Sequence, residues 1–375
     1  MIKIVIVHFQ PLEKYPPVVN MIRYIAGLQR HDLELHVIST QASNEKKQLE
    51  VNNIIIHRIG KLSEELNRIE RLLFYIRFQT KALSLLRALK PQKVLYYETL
   101  SAGAPFVYKK YHNKECEIFI HYHEYTSPSE YKQGMVVGRL LHYLEKKMYK
   151  QAAWVSHTNT YRAKLFKEDI GKAAPQIVHA IPNYPPENWL HNVNKSISNG
   201  QSRVGFVYVG AMSLNTMYVE LFAKFIAQHP NQYYWDIYSD NFSSDLLSFF
   251  DSFKAPNIHF HGSIEYDALP KLLPKYDIGV VLYKGHILNY VYNAPNKVFE
   301  YLAAGLDVWY PNEMKGCEEY RTYKTYPEVL SVDFQQLVFS DVVPGKRKTG
   351  YLPKLNDYYF EKHISPMASR FLDLN

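Results

Sequence analysis

The chain has 375 residues, 47% of them hydrophobic and 21% charged, which is enough apolar material for two full cores and excludes a disordered or low-complexity protein. No run approaches the roughly 20 apolar residues of a membrane-spanning helix, and residues 1–8 turn polar too soon for a secretory signal, so a cytoplasmic protein is predicted. The formal charge of +8 is uneven, with 27 Lys/Arg against 17 Asp/Glu in residues 1–187 and 17 against 19 in the remainder; a basic first half suits an anionic partner such as a membrane surface, and no RNA motif accompanies it.

Residues 2–7 are a continuous β-rich apolar run, which predicts a buried parallel strand. A helix carrying Val18, Val19, Ile22, Ile25, Ala26 and Leu28, then a strand over 33–40, complete a βαβ unit of the size found in doubly wound sheets. No G-x-G-x-x-G follows the first strand, which argues against a dinucleotide oxidoreductase. A third strand is expected over 53–59, then a long helix or helix pair over 63–89. There Arg68, Arg71, Arg77, Lys81 and Arg87 alternate with Ile69, Leu72, Leu73, Ile76 and Leu83, as in a membrane-surface helix or in a domain helix with one wet face. A strand over 93–97 and a helix over 102–111 precede a strand over 117–121, which runs straight into His121-Tyr122-His123-Glu124-Tyr125. Catalytic groups of open α/β sheets gather just beyond strand C-termini, which singles out His123 and Glu124, the second as a general base; a His or Glu there can equally cap the next helix.

A helix over 136–150 sets Leu140, Leu141, Leu144 and Met148 at core spacing. A strand over 154–158, a helix over 161–168 and a strand from 177 into Pro182-Asn183-Tyr184-Pro185 follow, and the Asn- and Ser-rich stretch 188–203 reads as an interdomain linker. The α/β pattern then restarts with a strand closing in Gly210, where the chain can pass close to a ligand, and a loop containing Ser213. Helices are expected over 217–228, 245–253 and 267–276, with strands over 234–238 and 277–283 and a strand and loop over 258–264; the strand over 277–283 leads to Lys284. Asn293-Ala294-Pro295-Asn296-Lys297-Val298-Phe299-Glu300-Tyr301-Leu302-Ala303-Ala304-Gly305 predicts a turn capped by Asn293 and a short helix stopped by Gly305. A helix start attracts anions, Lys297 adds charge one turn in, and Glu300 can grip vicinal hydroxyls. Beyond a strand over 307–310 the elements are short; 344–349 is a basic turn, and 356–374 predicts a last helix that Pro366 breaks or kinks. Cys116 and Cys317 lie far apart with no metal-ligand spacing, so a reducing compartment and no bound metal are expected.

The stretch NAPNKVFEYLAAGLDV resembles the nucleotide-sugar segment P-x-K-x-x-E-Y-x-A-x-G of GT-B glycosyltransferases, and the order of strand-end His-Glu, P-N-x-P exit and strand ending in Gly is similar to that of GT4-like enzymes (glycosyltransferase group 1) that assemble bacterial surface polysaccharides. The resemblance implies an α/β fold of two Rossmann-like domains facing across a cleft. Residues 1–187 would be the acceptor-side domain, with a helix of about 356–375 packing back on it, 188–203 the linker and 204–355 the donor domain. It places Lys297 on the donor diphosphate, Glu300 on the ribose, backbone near Ile264 on the base and His123 against the donor sugar, with Asn296, Asn293, Gly210 and Ser213 completing the donor site. Three positions depart from the pattern. His121 stands where the subgroup has an aspartate. No basic residue follows Gly210 before Lys224, which leaves Lys284 as a substitute phosphate clamp. Tyr292 occupies the place of the retaining branch's first glutamate.

The implied function is a metal-independent, cofactor-free glycosyltransferase of hexosyltransferase type. It would move sugar from a UDP- or GDP-sugar to a glycan or lipid-linked acceptor in surface polysaccharide synthesis, in peripheral contact with an anionic membrane and with no nucleic-acid partner. The overall resemblance favours retention, while Glu124 keeps an inverting base open. The competing readings are an inactive nucleotide-sugar-binding protein, and a GT-B epimerase or nucleoside-monophosphate-sugar transferase.

Overall fold

A computed structural model describes residues 2–42, 48–63, 66–192, 203–239, 243–323, 326–337 and 357–374, which divide into one unit of Met1–Pro182 with Glu361–Asn375 and a second of Asn183–Phe360. In the first unit β1 (Ile2–His8), β2 (Leu33–Ala42), β3 (Ile54–Leu62), β4 (Lys93–Tyr97), β5 (Glu117–Tyr122), β6 (Trp154–His157) and β7 (His179–Ala180) form one sheet in the order β3-β2-β1-β4-β5-β6-β7. Every pairing is parallel, with Ile2 opposite Leu33 and Ile4 opposite Lys93. A central parallel strand is buried on both faces, which is why β1 and β4 read as unbroken apolar runs. Helices α1 (Pro16–Gly27), α2 (Arg68–Leu89), α3 (Gly103–Tyr111), α4 (Pro128–Gln133), α5 (Val136–Lys146) and α6 (Thr160–Ile170) accompany these strands.

Helix α2 begins later than the sequence pattern predicts because Asn67 and Glu70 close a capping box. It buries Tyr75, Phe78, Ala82 and Leu86 and leaves Ile69, Leu72, Leu73 and Ile76 exposed. On α5 the expected core residue Leu140 faces outward, and the fully buried place goes instead to Glu145, whose carboxylate accepts hydrogen bonds from Tyr96 (3.0 Å), Tyr122 (2.6 Å) and Tyr149 (3.3 Å). A buried acid is tolerated where its lone pairs are satisfied in this way.

In the second unit β8 (Val204–Val209), β9 (Tyr233–Tyr238), β10 (Ile258–Phe260), β11 (Ile278–Val280), β12 (Asp307–Pro311) and β13 (Val329–Val332) form another parallel sheet, ordered β10-β9-β8-β11-β12-β13. Helices α7 (Val219–Ala227) and α8 (Ser244–Phe253) are followed by α9 (Leu269–Leu272), α10 (Leu288–Val291) and α11 (Asn296–Ala303). The expected domain boundary at 187 falls inside this unit. Tyr184 packs edge-on to Phe299 with centroids 4.5 Å apart, and Trp189 lies 4.9 Å from Tyr266, so 183–192 join the second core rather than a linker. The rest of the expected linker, 193–202, and the basic turn at 344–349 lie outside the described residues.

The last helix, α12 (Phe360–Leu372), continues through Pro366 instead of breaking there. Its Phe371 meets Phe119 of β5 at 5.0 Å, and Lys93 of β4 donates to the carbonyl of Arg370 at 2.7 Å and to Asp373 at 2.6 Å. These contacts return the chain end to the first unit.

One contact fixes how α11 sits on the second sheet. The Tyr301 ring lies against Gly279 of β11, where a Cβ would come 2.2 Å from ring carbons, and the Tyr301 hydroxyl accepts the amide of Val209 at 3.1 Å. Because no flexible side chain can yield there, Gly279→Ala is expected to lower the stability of the second unit by about 1–3 kcal/mol in chemical denaturation, whereas Gly138→Ala, inside helix α5 with open space around it, should raise the stability of the first unit by up to about 1 kcal/mol, since alanine favours helix over glycine.

Candidate functional site

In the second unit the C-terminal end of β8 and the start of α11 converge. The strand ends at Gly210 with φ +116, a conformation L-residues rarely adopt, and a Cβ at Gly210 would stand 2.8 Å from the Lys297 ammonium. That ammonium also lies 5.2 Å from the Tyr208 ring centroid and 5.9 Å from that of Tyr283. Burial opposes its charge, but Tyr208, Tyr283 and Glu300 outweigh burial and raise its pKa, so it stays a cation.

Helix α11 starts after Pro295, and no side chain caps its first turn. Asn293, the expected cap, is instead buried against the 3-10 turn Lys315–Tyr320, where its backbone carbonyl accepts from the Cys317 thiol at 3.4 Å. The helix end follows expectation: Gly305 takes φ +74 and the Leu306 amide reaches back to Tyr301 O at 2.9 Å. An uncapped helix start beside a fixed cation presents amide dipoles and positive charge to the same space, the combination that attracts anions. Glu300, one turn in, is buried, and burial pushes its carboxyl up to about 7 against the opposing pull of Lys297 and of the Asn296 amide, which donates to it at 3.3 Å. A polar ligand that supplied hydroxyl donors would favour its ionised form.

The remaining expected donor residues take different places. Ser213 Oγ accepts from the Thr216 amide at 3.4 Å and shapes the loop after Gly210. Lys284 donates to the carbonyls of Leu214 (3.0 Å) and Asn215 (3.3 Å), so in this structure its ammonium holds that loop. Ile264 is partly buried against the apolar cluster of α11, and Ser263 beside it is exposed. Tyr292 closes α10, its amide bonded to Leu288 O at 3.0 Å.

In the first unit β5 delivers His123 and Glu124 as the sequence pattern predicts. His123 is buried and stacks on Tyr97 with centroids 5.2 Å and planes 5° apart. Its carbonyl accepts from the buried guanidinium of Arg162 at 2.6 Å, and Arg162 also lies 3.7 Å from the exposed Glu124 carboxylate. His121, whose ring meets that of His123 edge-on with centroids 4.6 Å apart, shares a 2.8 Å hydrogen bond with Ser156. Burial holds His121 and His157 well below the usual imidazole range and takes His8 down to about 3, so these rings are neutral at physiological pH.

Sequence patterns do not single out Glu98, one residue beyond β4. It holds φ +64, a strained backbone for a residue with a side chain, and its carboxylate accepts the amides of His123 (2.6 Å) and Glu124 (3.2 Å). Burial and the nearby Glu124 raise its carboxyl to about 8. The rule that selects His123, position just past a strand C-terminus, applies equally to Glu98. A pocket of this unit is lined by Glu124, Tyr125, Tyr131, His142, Lys146 and Asp169 with aromatic neighbours.

The fold is thus α/β, two Rossmann-like domains of the GT-B kind, each built on a parallel sheet. Among solved structures the chain is similar to HepE of Anabaena in complex with UDP and glucose, at 12% identity and TM-score 0.72 with all of both chains covered. It is similar to sucrose-phosphate synthase of Thermosynechococcus elongatus, at 14% identity and TM-score 0.64 over 90% of this chain and 87% of the other. A third is the UDP-GlcNAc 2-epimerase of Neisseria meningitidis bound to UDP-GlcNAc, at 11% identity and TM-score 0.61 over 99% of this chain and 100% of the other. No protein-family model matches the sequence, and no curated protein matches it.

The raised carboxyl of Glu300 has a measurable consequence. A group with a folded pKa near 7 and an unfolded one near 4.5 stabilises the fold fully below the lower value, and that contribution is lost as pH rises through the upper one. Between about pH 5 and about pH 8 the ligand-free wild type should lose roughly 3 kcal/mol that Glu300→Gln does not, read as a flatter pH profile of the variant's unfolding midpoint.

Proposed function

We propose that the protein is a glycosyltransferase that takes a sugar from a UDP- or GDP-sugar held on the second unit. The observation that carries this reading is the Lys297 ammonium against Gly210 beside the uncapped start of α11, with Glu300 buried one turn in. The donor diphosphate would lie on the helix start and Lys297, the ribose hydroxyls on Glu300, and the base near Ser263 and Ile264. During transfer the bond from the sugar anomeric carbon to the β-phosphate oxygen breaks, and negative charge grows on that oxygen. The amide dipoles and Lys297 stabilise it there, which makes a metal ion unnecessary for departure. Asn296 would keep Glu300 oriented, and Ser213 and Lys284 would act through the loop they shape.

The acceptor, a glycan or lipid-linked sugar in surface polysaccharide synthesis, would bind the first unit, where His123 is positioned by stacking and Glu98 fixes the backbone of Glu124. A proton leaves the acceptor hydroxyl as its oxygen bonds the anomeric carbon. Glu124 would take that proton in an inverting reaction, whereas the overall resemblance favours retention; NMR of the product anomer distinguishes the two.

Thermal-shift titration tests the donor site, since a ligand that binds only the folded state raises the midpoint. UDP or GDP should stabilise the wild type, and Lys297→Ala should weaken the nucleotide roughly ten- to hundredfold, the range for a lost charged hydrogen bond. No shift with any common nucleotide sinks the donor assignment. The same fold serves a UDP-GlcNAc 2-epimerase, so conversion of UDP-GlcNAc without any acceptor would replace transfer by epimerisation.

Membrane contact would run through the first unit. Helix α5 exposes Val136, Leu140 and Tyr143 at i, i+4 and i+7 beside Arg139, Lys146 and Lys147, the Lys147 ammonium lying 4.2 Å from the Tyr143 ring. On α2, Ile69, Leu72, Leu73 and Ile76 are exposed among Arg68, Arg77 and Lys81. Apolar side chains flanked by cations fit the headgroup region of an anionic bilayer, and no helix among the described residues is long and apolar enough to cross one. Leu140→Glu with Tyr143→Glu should reduce co-sedimentation with phosphatidylglycerol vesicles at least fivefold (about 1 kcal/mol) without changing nucleotide affinity.

A further inference from the structure

Strands β9 and β10 are parallel neighbours with His259 directly opposite Asp236. Side chains on a strand alternate between faces, so His261, two residues past His259, returns to the Asp236 side; its amide bonds Ile237 O at 3.0 Å, which holds the register past the end of β10. His259 Nδ1 lies 2.7 Å from Asp236 Oδ1 and His261 Nε2 lies 3.2 Å from Asp236 Oδ2, and the three donor atoms fall within 4.8 Å of one another. One imidazolium would balance the carboxylate. The second ring adds little to such a pair, but it completes a set of three ligands.

The surroundings orient that set. The Tyr276 hydroxyl donates to Asp236 Oδ2 at 2.7 Å and shares a 2.9 Å hydrogen bond with the Tyr238 hydroxyl. The Tyr238 ring stacks on His261 with centroids 4.7 Å and planes 15° apart. Asp236 is buried while both imidazoles reach solvent, so water can supply a further ligand on the open side.

We propose that Asp236, His259 and His261 bind a divalent cation of zinc's chemistry. Two imidazole nitrogens and one carboxylate oxygen suit a borderline cation better than the all-oxygen sites of magnesium or calcium, and hydrogen bonds to the ligating carboxylate are the usual outer support of such a site. The ligands come from two strands, so the ion would tie edge strand β10 to β9. It would also fix His261 immediately before the 262–264 loop. On the reading that this loop meets the nucleotide base, the cation would preorganise donor binding from outside the transfer chemistry.

Calorimetric titration of the chelator-treated full chain with zinc sulfate tests the site, with no nucleotide present, so the outcome is independent of the donor assignment. One equivalent is expected to bind, with affinity lowered at least a hundredfold in both His259→Ala and His261→Ala. Both rings are partly exposed but each meets the buried Asp236 carboxylate, so the metal-free unfolding midpoint of each variant is measured alongside to separate lost ligation from lost stability. Cobalt substitution should give the intense visible bands of a four-coordinate ion, lost in the same variants. No binding, or one equivalent that persists in the double variant, overturns the proposal. If zinc binds as expected but leaves nucleotide affinity unchanged, the metal site stands and its link to the base loop falls.

Discussion

Everything at the proposed donor site depends on how Tyr301 is seated. Its ring occupies the space left by the missing side chain of Gly279, and its hydroxyl holds the last amide of β8. That single residue ties α11 to two adjacent strands, and the tie fixes the turn of helix on which Lys297 and Glu300 ride. Gly210 completes the arrangement by leaving room for the Lys297 ammonium. A cation kept near aromatic faces, beside helix amides that no side chain caps, is preorganised for an anion and needs little rearrangement when one arrives.

The first unit uses a different device. Several polar groups at the sheet's C-terminal edge are bonded to one another: Glu98 to the His123 and Glu124 amides, Arg162 to the His123 carbonyl, Glu145 to three tyrosines. Satisfied networks of this kind rigidify the backbone around them, because each group carries a desolvation cost that only its particular partner offsets. The strain at Glu98 is held by the same bonds. His123 and Glu124 therefore sit on a stiff platform, although they lie on the loop just after a strand.

The two ends of the second sheet divide labour along the same logic. Near β8 and β11 the side chains converge on the proposed anion site; at the β9–β10 edge they converge on a nitrogen-rich set around Asp236. Both arise because parallel strands deliver alternate residues to one face, so neighbours in register become neighbours in chemistry.

Hydrophobic runs and punctuation by glycine make most strands and helices legible in the sequence, and the linear phrase from Asn293 to Gly305 by itself marks a helix carrying Lys297 and Glu300, together with its stop. These are local signals, carried by period and by backbone preference. Other features are not legible. Leu140 has core spacing yet faces outward, because the buried place on α5 is taken by Glu145 and its tyrosines. Asn293 has the chemistry of a cap, but Pro295 takes the N-cap position. Lys284 is a loop lysine whose task is set by the carbonyls of Leu214 and Asn215. Glu98, Arg162, and the joining of Asp236 with His259 and His261 depend on partners about 20 to 40 residues away along the chain or on strand register, and periodicity contains no information about either. The sequence by itself determined which elements form and where a helix start could meet an anion. Only the tertiary structure decided which polar groups face one another, because that depends on the packing of distant segments into one sheet.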